Sequence, residues 1–185
     1  MRKLQLTLVS FFLLISSYSL HALDGIPKSF TIGTTPMVLN GQGTRTKFII
    51  SVYNAGLFLK VKSKNPQQII DANEPMAIRM KIVSGFASAE KMKQALLEGF
   101  NNSTNGNTAP IQAEIDQLLK AAFSGEVAKG DIFDLVYTPA SGTQVLKNAK
   151  TMTVVRGIEI KKALFGIWLS DRPAQASLKS EMLGK

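Results

Sequence analysis

The sequence predicts one α+β domain, an antiparallel sheet with helices packed on one face. Strand patterns fill the first half, two helical patterns follow, strands return after residue 130, and the chain ends in helices. Because these elements come in blocks and do not alternate singly, a parallel α/β sheet is disfavoured. Removing a predicted leader of 22 residues from 185 leaves 163, the usual size of one domain.

The leader prediction rests on the first 22 residues, which have the parts of a secretory signal peptide. Arg2 and Lys3 are positive, 6–15 is apolar, and small Ala22 ends a candidate cleavage site. The apolar run is too short to span ~30 Å of hydrocarbon, so cleavage is expected rather than anchoring. The sequence thus predicts a signal peptide at 1–22, a single domain at 23–185, and export to the periplasm.

Strands are predicted where β-branched and aromatic residues cluster or alternate. They are 30–32, 37–39, 46–62, 76–83, 131–138, 143–146 and 151–155. We interpret 46–62 as one long strand or two, kinked near 54–56. Asn40-Gly41, a strong turn dipeptide, predicts a turn between the second and third strand segments.

Helices are predicted from apolar residues at helical spacing and from capping signals. They are 66–72, 88–100, 110–123, 161–169 and 173–183. Ser88 is a candidate N-cap, and Met92, Leu96 and Phe100 form the apolar stripe of its helix. The stripe is typical of core packing, and it could also line a tunnel for an acyl chain.

The residue types exclude several chemistries. The single histidine, His21, lies in the predicted leader, and the chain has no cysteine. Histidine-based triads, cysteine nucleophiles and ordinary zinc sites are therefore excluded from the mature domain. The sequence predicts no metal and no cofactor, and the carboxylates, Asp131 and Asp134 included, are expected to be solvated surface charges.

The chain is basic, with a formal net charge of +9. Without Arg2 and Lys3, 20 basic residues remain against 13 acidic ones, which favours anionic partners. The lysines are scattered and lack interleaved aromatics, so nucleic acid is not expected as a partner. Membrane contact is expected only during export, and the sequence identifies no protein partner.

Arg45 and Tyr53 are the candidate ligand-binding residues. Arg45 stands at the entry to a strand, and Tyr53 follows eight residues later, an even separation that places both on one face of a regular strand. They would be too far apart to touch unless the strand bends. Together they would suit a carboxylate or phenolate headgroup. A surface ion pair and a half-buried strand aromatic are the structural alternatives.

The order and spacing of several motifs resemble exported bacterial chalcone isomerase-like proteins. The motifs are LNGQGTR at 39–45, VYNAGLFL at 52–59, KGD at 129–131, YTP at 137–139, GIE at 157–159 and ALFGIWL at 163–169. The match covers nearly all the mature chain, with Ser170 where the family usually has glycine. It implies an open-faced sandwich, a curved antiparallel sheet with a layer of helices and a ligand cleft between them.

The resemblance also bears on activity. Arg45 matches the arginine that stabilises the phenolate and enolate in true isomerases, and it would be the catalytic residue of an isomerase. The other polar positions of the enzymes fall on Tyr53, Ser88 and Ala95, and near Val155, which argues against catalysis. Arginine with tyrosine instead resembles the fatty-acid-binding branch of the fold.

Three functions remain open. The main expectation is a non-catalytic periplasmic protein that holds a fatty acid or similar anionic amphiphile between sheet and helices. The alternatives are a chalcone isomerase-type intramolecular lyase, and an interaction protein whose cleft is closed by side chains.

Overall fold

A computed structural model describes residues 23–185, and the predicted leader lies outside them. One seven-stranded antiparallel sheet runs in chain order from the first strand to the last. Its strands are β1 (Ser29–Ile32), β2 (Thr35–Lys47), β3 (Ile50–Leu59), β4 (Met76–Ile82), β5 (Ile132–Thr138), β6 (Gly142–Lys147) and β7 (Lys150–Val155). Each strand pairs with its neighbours in sequence, so the connections alternate between the two ends of the sheet.

Five helices and one short 3₁₀ turn complete the described part of the chain. They are α1 (Pro66–Asp71), α2 (Ala89–Ser103), the turn Ala109–Ile111, α3 (Gln112–Ala122), α4 (Ile158–Leu169) and α5 (Ala176–Met182). Ser88 caps α2 as predicted, its hydroxyl accepting a hydrogen bond from the Lys91 N–H. The α+β prediction is confirmed, because the helices pack on one face of this sheet.

The two faces of the sheet bury different cores. The inner face packs against the helices, and Phe133, Leu135 and Tyr137 of β5 lie there together, as their alternation predicted. A smaller cluster covers the outer face, where Ile26 and Phe30 from the start of the domain meet Phe58. The helix-facing side is therefore the side on which a cleft could open. Among residues 23–185, no helix is long and apolar enough to span a membrane.

The turn predicted at Asn40-Gly41 is wrong, because both residues lie inside β2. A bulge shifts the register between Leu39 and Gly41. A Cβ on Gly41 would lie 2.1 Å from the Glu181 carbonyl oxygen, so glycine lets the end of α5 approach the strand. The Asn40 amide donates to the carbonyls of Ser63 and Met182. Tertiary packing, not turn formation, thus accounts for the dipeptide.

The segment 46–62 is divided between two strands, the end of β2 and the whole of β3, but the break does not fall where it was predicted. The chain reverses at Phe48 and Ile49, between the paired residues Lys47 and Ile50. Phe48 takes a φ of 55°, a left-handed conformation that a glycine or asparagine signal would normally mark. The kink expected near 54–56 is absent from the described structure, since these residues stay in register with both neighbouring strands.

Candidate functional site

Arg45 and Tyr53 are direct cross-strand partners in the β2–β3 hairpin. The arrangement predicted along one strand is wrong, because the chain reverses between the two residues. The register shift between Arg45 and Thr46 places them opposite each other on one face of the sheet. Paired residues carry their Cβ atoms about 5 Å apart, so the distance that a single strand would impose disappears. The bulge at Asn40 matters here, since it turns Gly41, Gly43 and Arg45 toward the helices while Leu39 faces the outer core.

Gln175, at the start of α5, fixes the Arg45 side chain. Arg45 Nη1 donates to Gln175 Oε1 at 3.0 Å and to the Thr46 carbonyl at 2.5 Å. A second register shift falls between Arg45 and Thr46, and the Thr46 N–H donates to the same Gln175 oxygen at 2.9 Å. The amide of Gln175 in turn donates to the Thr44 carbonyl. Gln175 therefore ties α5 to the irregular part of β2 and holds the guanidinium beside Tyr53.

Tyr53 is buried, with 6% of its surface exposed. Its hydroxyl accepts a hydrogen bond of 3.0 Å from Nε1 of Trp168 on α4. Burial raises the pKa of Tyr53, while the Trp168 hydrogen bond and the Arg45 charge act in the opposite direction. The phenol is therefore protonated at neutral pH, and no side chain among residues 23–185 accepts its hydrogen.

The interior beyond this pair is apolar. Met92, Leu96 and Phe100 of α2 are buried in the core between sheet and helices, which is the structural alternative the sequence left open for them. Apart from Tyr53, the side chains matched to polar positions of the isomerases have other surroundings and do not line this site. Ser88 caps α2, Ala95 is exposed, and Val155 is buried in the apolar core.

Lys161 is a buried cation that sequence reasoning missed. Its side chain is 0% exposed, and Nζ donates to the carbonyls of Ile69, Ile70 and Ala72 at 2.7–2.9 Å. These carbonyls end α1, whose last turn carries no basic residue of its own. Burial is the main cause that lowers the pKa of Lys161 to about 8. A signal was present, because Lys161 shares a helical face with the apolar Leu164, Phe165 and Trp168.

The carboxylates predicted to be solvated divide into two groups. Asp134 is buried on the outer face and accepts two hydrogen bonds from Arg79, at 2.7 and 2.9 Å, so the expectation is wrong for this residue. Asp131 lies at the sheet end, and although partial desolvation acts the other way, hydrogen bonds from Lys147, Ala128 and Asn148 lower its pKa. Within the described range, no group of three or more acidic or histidine side chains could hold a metal ion.

A surface cavity of about 320 Å³ lies at the far end of the sheet from Arg45. It opens between the β5–β6 turn, the end of β7 and the start of α4. Its polar lining includes Asn73, Tyr137, Ser141 and Arg156. The Tyr137 hydroxyl donates a hydrogen bond to the Asn73 side chain. Arg156 and Tyr137 thus form a second arginine and tyrosine at one site, separate from Arg45 and Tyr53.

The comparisons with known proteins point to one family. The family described as chalcone isomerase-like matches residues 23–184. The crystal structure of a fatty-acid binding protein from Arabidopsis thaliana is similar in fold, with a TM-score of 0.67 and 14% sequence identity. The likeness covers 85% of this chain and 90% of that one. No curated protein matches the sequence.

Sequence reasoning named Arg45 and Tyr53 as candidates but missed the residues that contact them. Trp168 belongs to the ALFGIWL motif at 163–169 but had no assigned role there. No sequence pattern around Gln175 pointed to a functional role. Both reach the hairpin from more than a hundred positions away in the chain. Only the packing of α4 and α5 on the sheet brings them there.

Proposed function

Since the chain belongs to the chalcone isomerase-like family, we propose that it is a non-catalytic binding protein for a fatty acid or similar anionic amphiphile. Arg45 and Tyr53 hold the headgroup, and the acyl chain lies between the sheet and the helices. The relative from Arabidopsis thaliana, by its name a fatty-acid binding protein, supports this choice of ligand class. We place the protein in the periplasm on the strength of the predicted signal peptide.

One observation carries the proposal: Arg45 of β2 and Tyr53 of β3, two hydrogen-bond donors, lie opposite each other on the same face of the sheet. The Tyr53 hydroxyl is oriented by the Trp168 N–H and keeps its own proton available to a carboxylate. Arg45 lies directly across the ladder and contributes the positive charge. Charge-assisted hydrogen bonds of this kind are about twice as strong as neutral ones.

The acyl chain has to enter the core formed by Met92, Leu96 and Phe100, which is closely packed in this structure. Binding therefore requires the helix layer to move away from the sheet by small side-chain and helix displacements. The aliphatic chain would replace protein contacts with equally apolar ones, so the headgroup contacts decide which amphiphiles are retained.

Arg45→Ala tests the headgroup assignment. Loss of a charge-assisted contact should weaken fatty-acid binding by about 1.5–3 kcal/mol, or roughly 10- to 150-fold in Kd. Isothermal titration of the delipidated protein with a long-chain fatty acid measures the change. Native mass spectrometry followed by solvent extraction would identify any ligand that co-purifies with the native protein.

Arg156→Ala is the matched control. It removes the same charge from the cavity at the other end of the sheet, and fatty-acid affinity should stay unchanged. If Arg156→Ala abolishes binding and Arg45→Ala does not, the headgroup lies in that cavity and the assignment is wrong. Circular dichroism checks that Arg45→Ala keeps its fold, because Arg45 also contacts Gln175.

The second candidate function is an interaction protein with a closed cleft. The packed interior favours it, and so does the Trp168 N–H, which already donates to the Tyr53 hydroxyl and needs no ligand. The two functions differ in one measurement. A delipidated protein that takes up no fatty acid at any concentration below its micellar limit supports the interaction protein. Arg45→Ala would then alter stability alone.

A further inference from the structure

The tip of the β2–β3 hairpin exposes two large apolar side chains to water. Phe48 is 91% exposed and Ile49 is 96% exposed. Phe86, in the loop between β4 and α2, is 70% exposed. The Val83 N–H bonds the Val52 carbonyl and so brings this loop beside the hairpin. Single exposed apolar residues are ordinary, but an aromatic and an aliphatic residue forming a turn, with a second aromatic beside them, make a patch.

The turn itself is strained by the residue that occupies it. Phe48 adopts a φ of 55°, which glycine or asparagine tolerates and a bulky aromatic residue does not favour. Being almost fully exposed, the Phe48 ring gains little packing energy that could offset this strain. The fold therefore gains little from phenylalanine at this position, and strain of this kind accumulates at functional sites.

Several basic residues lie at the same end of the sheet as the tip. The exposed ones are Lys47 beside the turn, Lys91 at the start of α2, Lys129 before β5 and Lys150 at the start of β7. The exposed acidic residues at this end include Glu90 and Glu126, while Asp24 and Asp171 are paired with Lys81 and Lys179. Lys91 also donates to the Phe86 carbonyl and so holds the aromatic loop in place. The patch is therefore apolar at its centre and net positive at its rim.

This combination fits the surface of an anionic lipid bilayer. Aromatic and aliphatic side chains enter the boundary between headgroups and acyl chains, to a depth of ~5–10 Å, while lysines contact anionic headgroups. Arg45 lies three residues from Phe48, or about 10 Å along the strand. A tip buried in the interface would thus bring the proposed headgroup site to the level of the lipid headgroups.

We infer that the β2–β3 hairpin docks the protein on anionic membranes, where it loads and releases its ligand. The inference rests on the proposed function for the identity of the ligand. It adds a contact with the membrane after export, whereas the sequence analysis expected one only during export. The hairpin tip, defined as Phe48 and Ile49, inserts into the bilayer, and Phe86 and the surrounding lysines complete the contact.

Vesicle sedimentation without fatty acid tests the docking step by itself. The secreted, delipidated protein is mixed with vesicles of phosphatidylethanolamine and phosphatidylglycerol, and in parallel with vesicles of phosphatidylcholine alone. We expect binding to the anionic vesicles that weakens as salt screens the lysines. Phe48→Ser with Ile49→Ser should lower the partition coefficient at least about tenfold.

Two further variants separate docking from folding. Phe48→Asn relieves the left-handed strain, so it should keep or raise the melting temperature while it weakens vesicle binding. Val61→Ser is the matched control, because Val61 is 78% exposed between Lys60 and Lys62 at the opposite end of the sheet. Vesicle binding by Val61→Ser should equal that of the unaltered protein.

Several results would overturn the inference. They are no binding to anionic vesicles, equal binding by the hairpin variants, or a dimer in ultracentrifugation that the hairpin variants dissolve, which would assign the tip to a second copy. The proposed function fails separately. Fatty-acid binding in solution should persist in Phe48→Ser with Ile49→Ser, and vesicle binding should persist in Arg45→Ala.

Discussion

Lys161 illustrates how much one buried side chain can organise. Its ammonium group ends α1 by donating to three carbonyls, and it lies 5.5 Å from the ring centroids of both Tyr137 and Phe165. The lysine therefore joins α1, α4 and the inner face of β5 at one point. Each interaction favours the charged form, while burial favours the neutral one.

The lowered pKa of Lys161 predicts a specific dependence of stability on pH. The folded protein releases this proton near pH 8, whereas the unfolded chain keeps it to about 10.5. Because the unfolded chain binds more protons between these values, the contribution of Lys161 to the free energy of unfolding rises from pH 8 to 10.5 and is lost as pH falls through 8. Urea unfolding of the native protein and Lys161→Met should therefore diverge across this window.

Lys162→Met is the control at the next position. Lys162 pairs with Glu159 at 3.3 Å and Asp71 at 3.8 Å on the solvent side of α4. Its loss should change stability little, as exposed ion pairs generally do, and its pH profile should run parallel to that of the native protein. Parallel profiles for Lys161→Met as well would contradict the role assigned to Lys161.

At the scale of elements, the crossing of α2 and α4 determines how closely the helix layer is held together. Gly99 of α2 lies against Ile167 of α4, and a Cβ at Gly99 would be 2.6 Å from Ile167 Cγ2. Ser103 reinforces the crossing by donating to the Ala163 carbonyl at 2.8 Å. The glycine is thus required by helix packing, although it weakens the helix itself.

Gly99→Ala should destabilise the protein by about 1–3 kcal/mol through overpacking, even though alanine favours a helix by roughly 1 kcal/mol over glycine. Chemical unfolding measures the change. Ile167→Ala removes the opposing atoms, so the double variant should be less destabilised than the two single changes predict together. Additive effects would mean that the two residues are not in contact as described.

The same crossing also limits access to the interior. An acyl chain between sheet and helices has to move Met92, Leu96 and Phe100, and these residues belong to the helix that Gly99 locks against α4. Ligand binding and the packing of this helix pair are therefore linked. We expect the inner layer, and not the outer cluster around Ile26 and Phe58, to respond to a ligand.

At the scale of the whole molecule, a ligand that binds only the folded chain stabilises all of it. A fatty acid at a hundredfold excess over its Kd should add about 2.7 kcal/mol, which raises Tm by roughly 5–10 °C in a domain of this size. Thermal unfolding at increasing fatty-acid concentration measures the shift. At the same concentrations Arg45→Ala should gain much less, and equal shifts in both proteins would argue against a headgroup at Arg45.

Much of the architecture could be predicted from the sequence because it depends on local patterns. The alternation over β5, the Ser88 cap of α2 and the proline at the start of α1 are short-range signals. Each acts within a few residues, so the block order of strands and helices followed directly. The absence of histidine and cysteine from residues 23–185 likewise limits the available chemistry, because composition alone decides which side-chain groups the domain can use.

What failed depended on contacts between distant parts of the chain. The reversal at Phe48 contains no residue typical of a turn. Asn40-Gly41 has the sequence of a turn, but it lies within β2, where α5 packs against it. The ion pair between buried Asp134 and half-buried Arg79 likewise needed β4 and β5 side by side.

By itself, the sequence determined the fold class and the chemistry that is unavailable, because residue type and local periodicity suffice for these. Spacing alone left Arg45 and Tyr53 with structural alternatives, and the family resemblance of their motifs made them candidates. Only the tertiary structure decided that the two side chains are cross-strand partners, since a bulge and a hairpin turn set their faces. It also decided that Gln175 and Trp168 hold them, because these contacts exist only after α4 and α5 pack on the sheet.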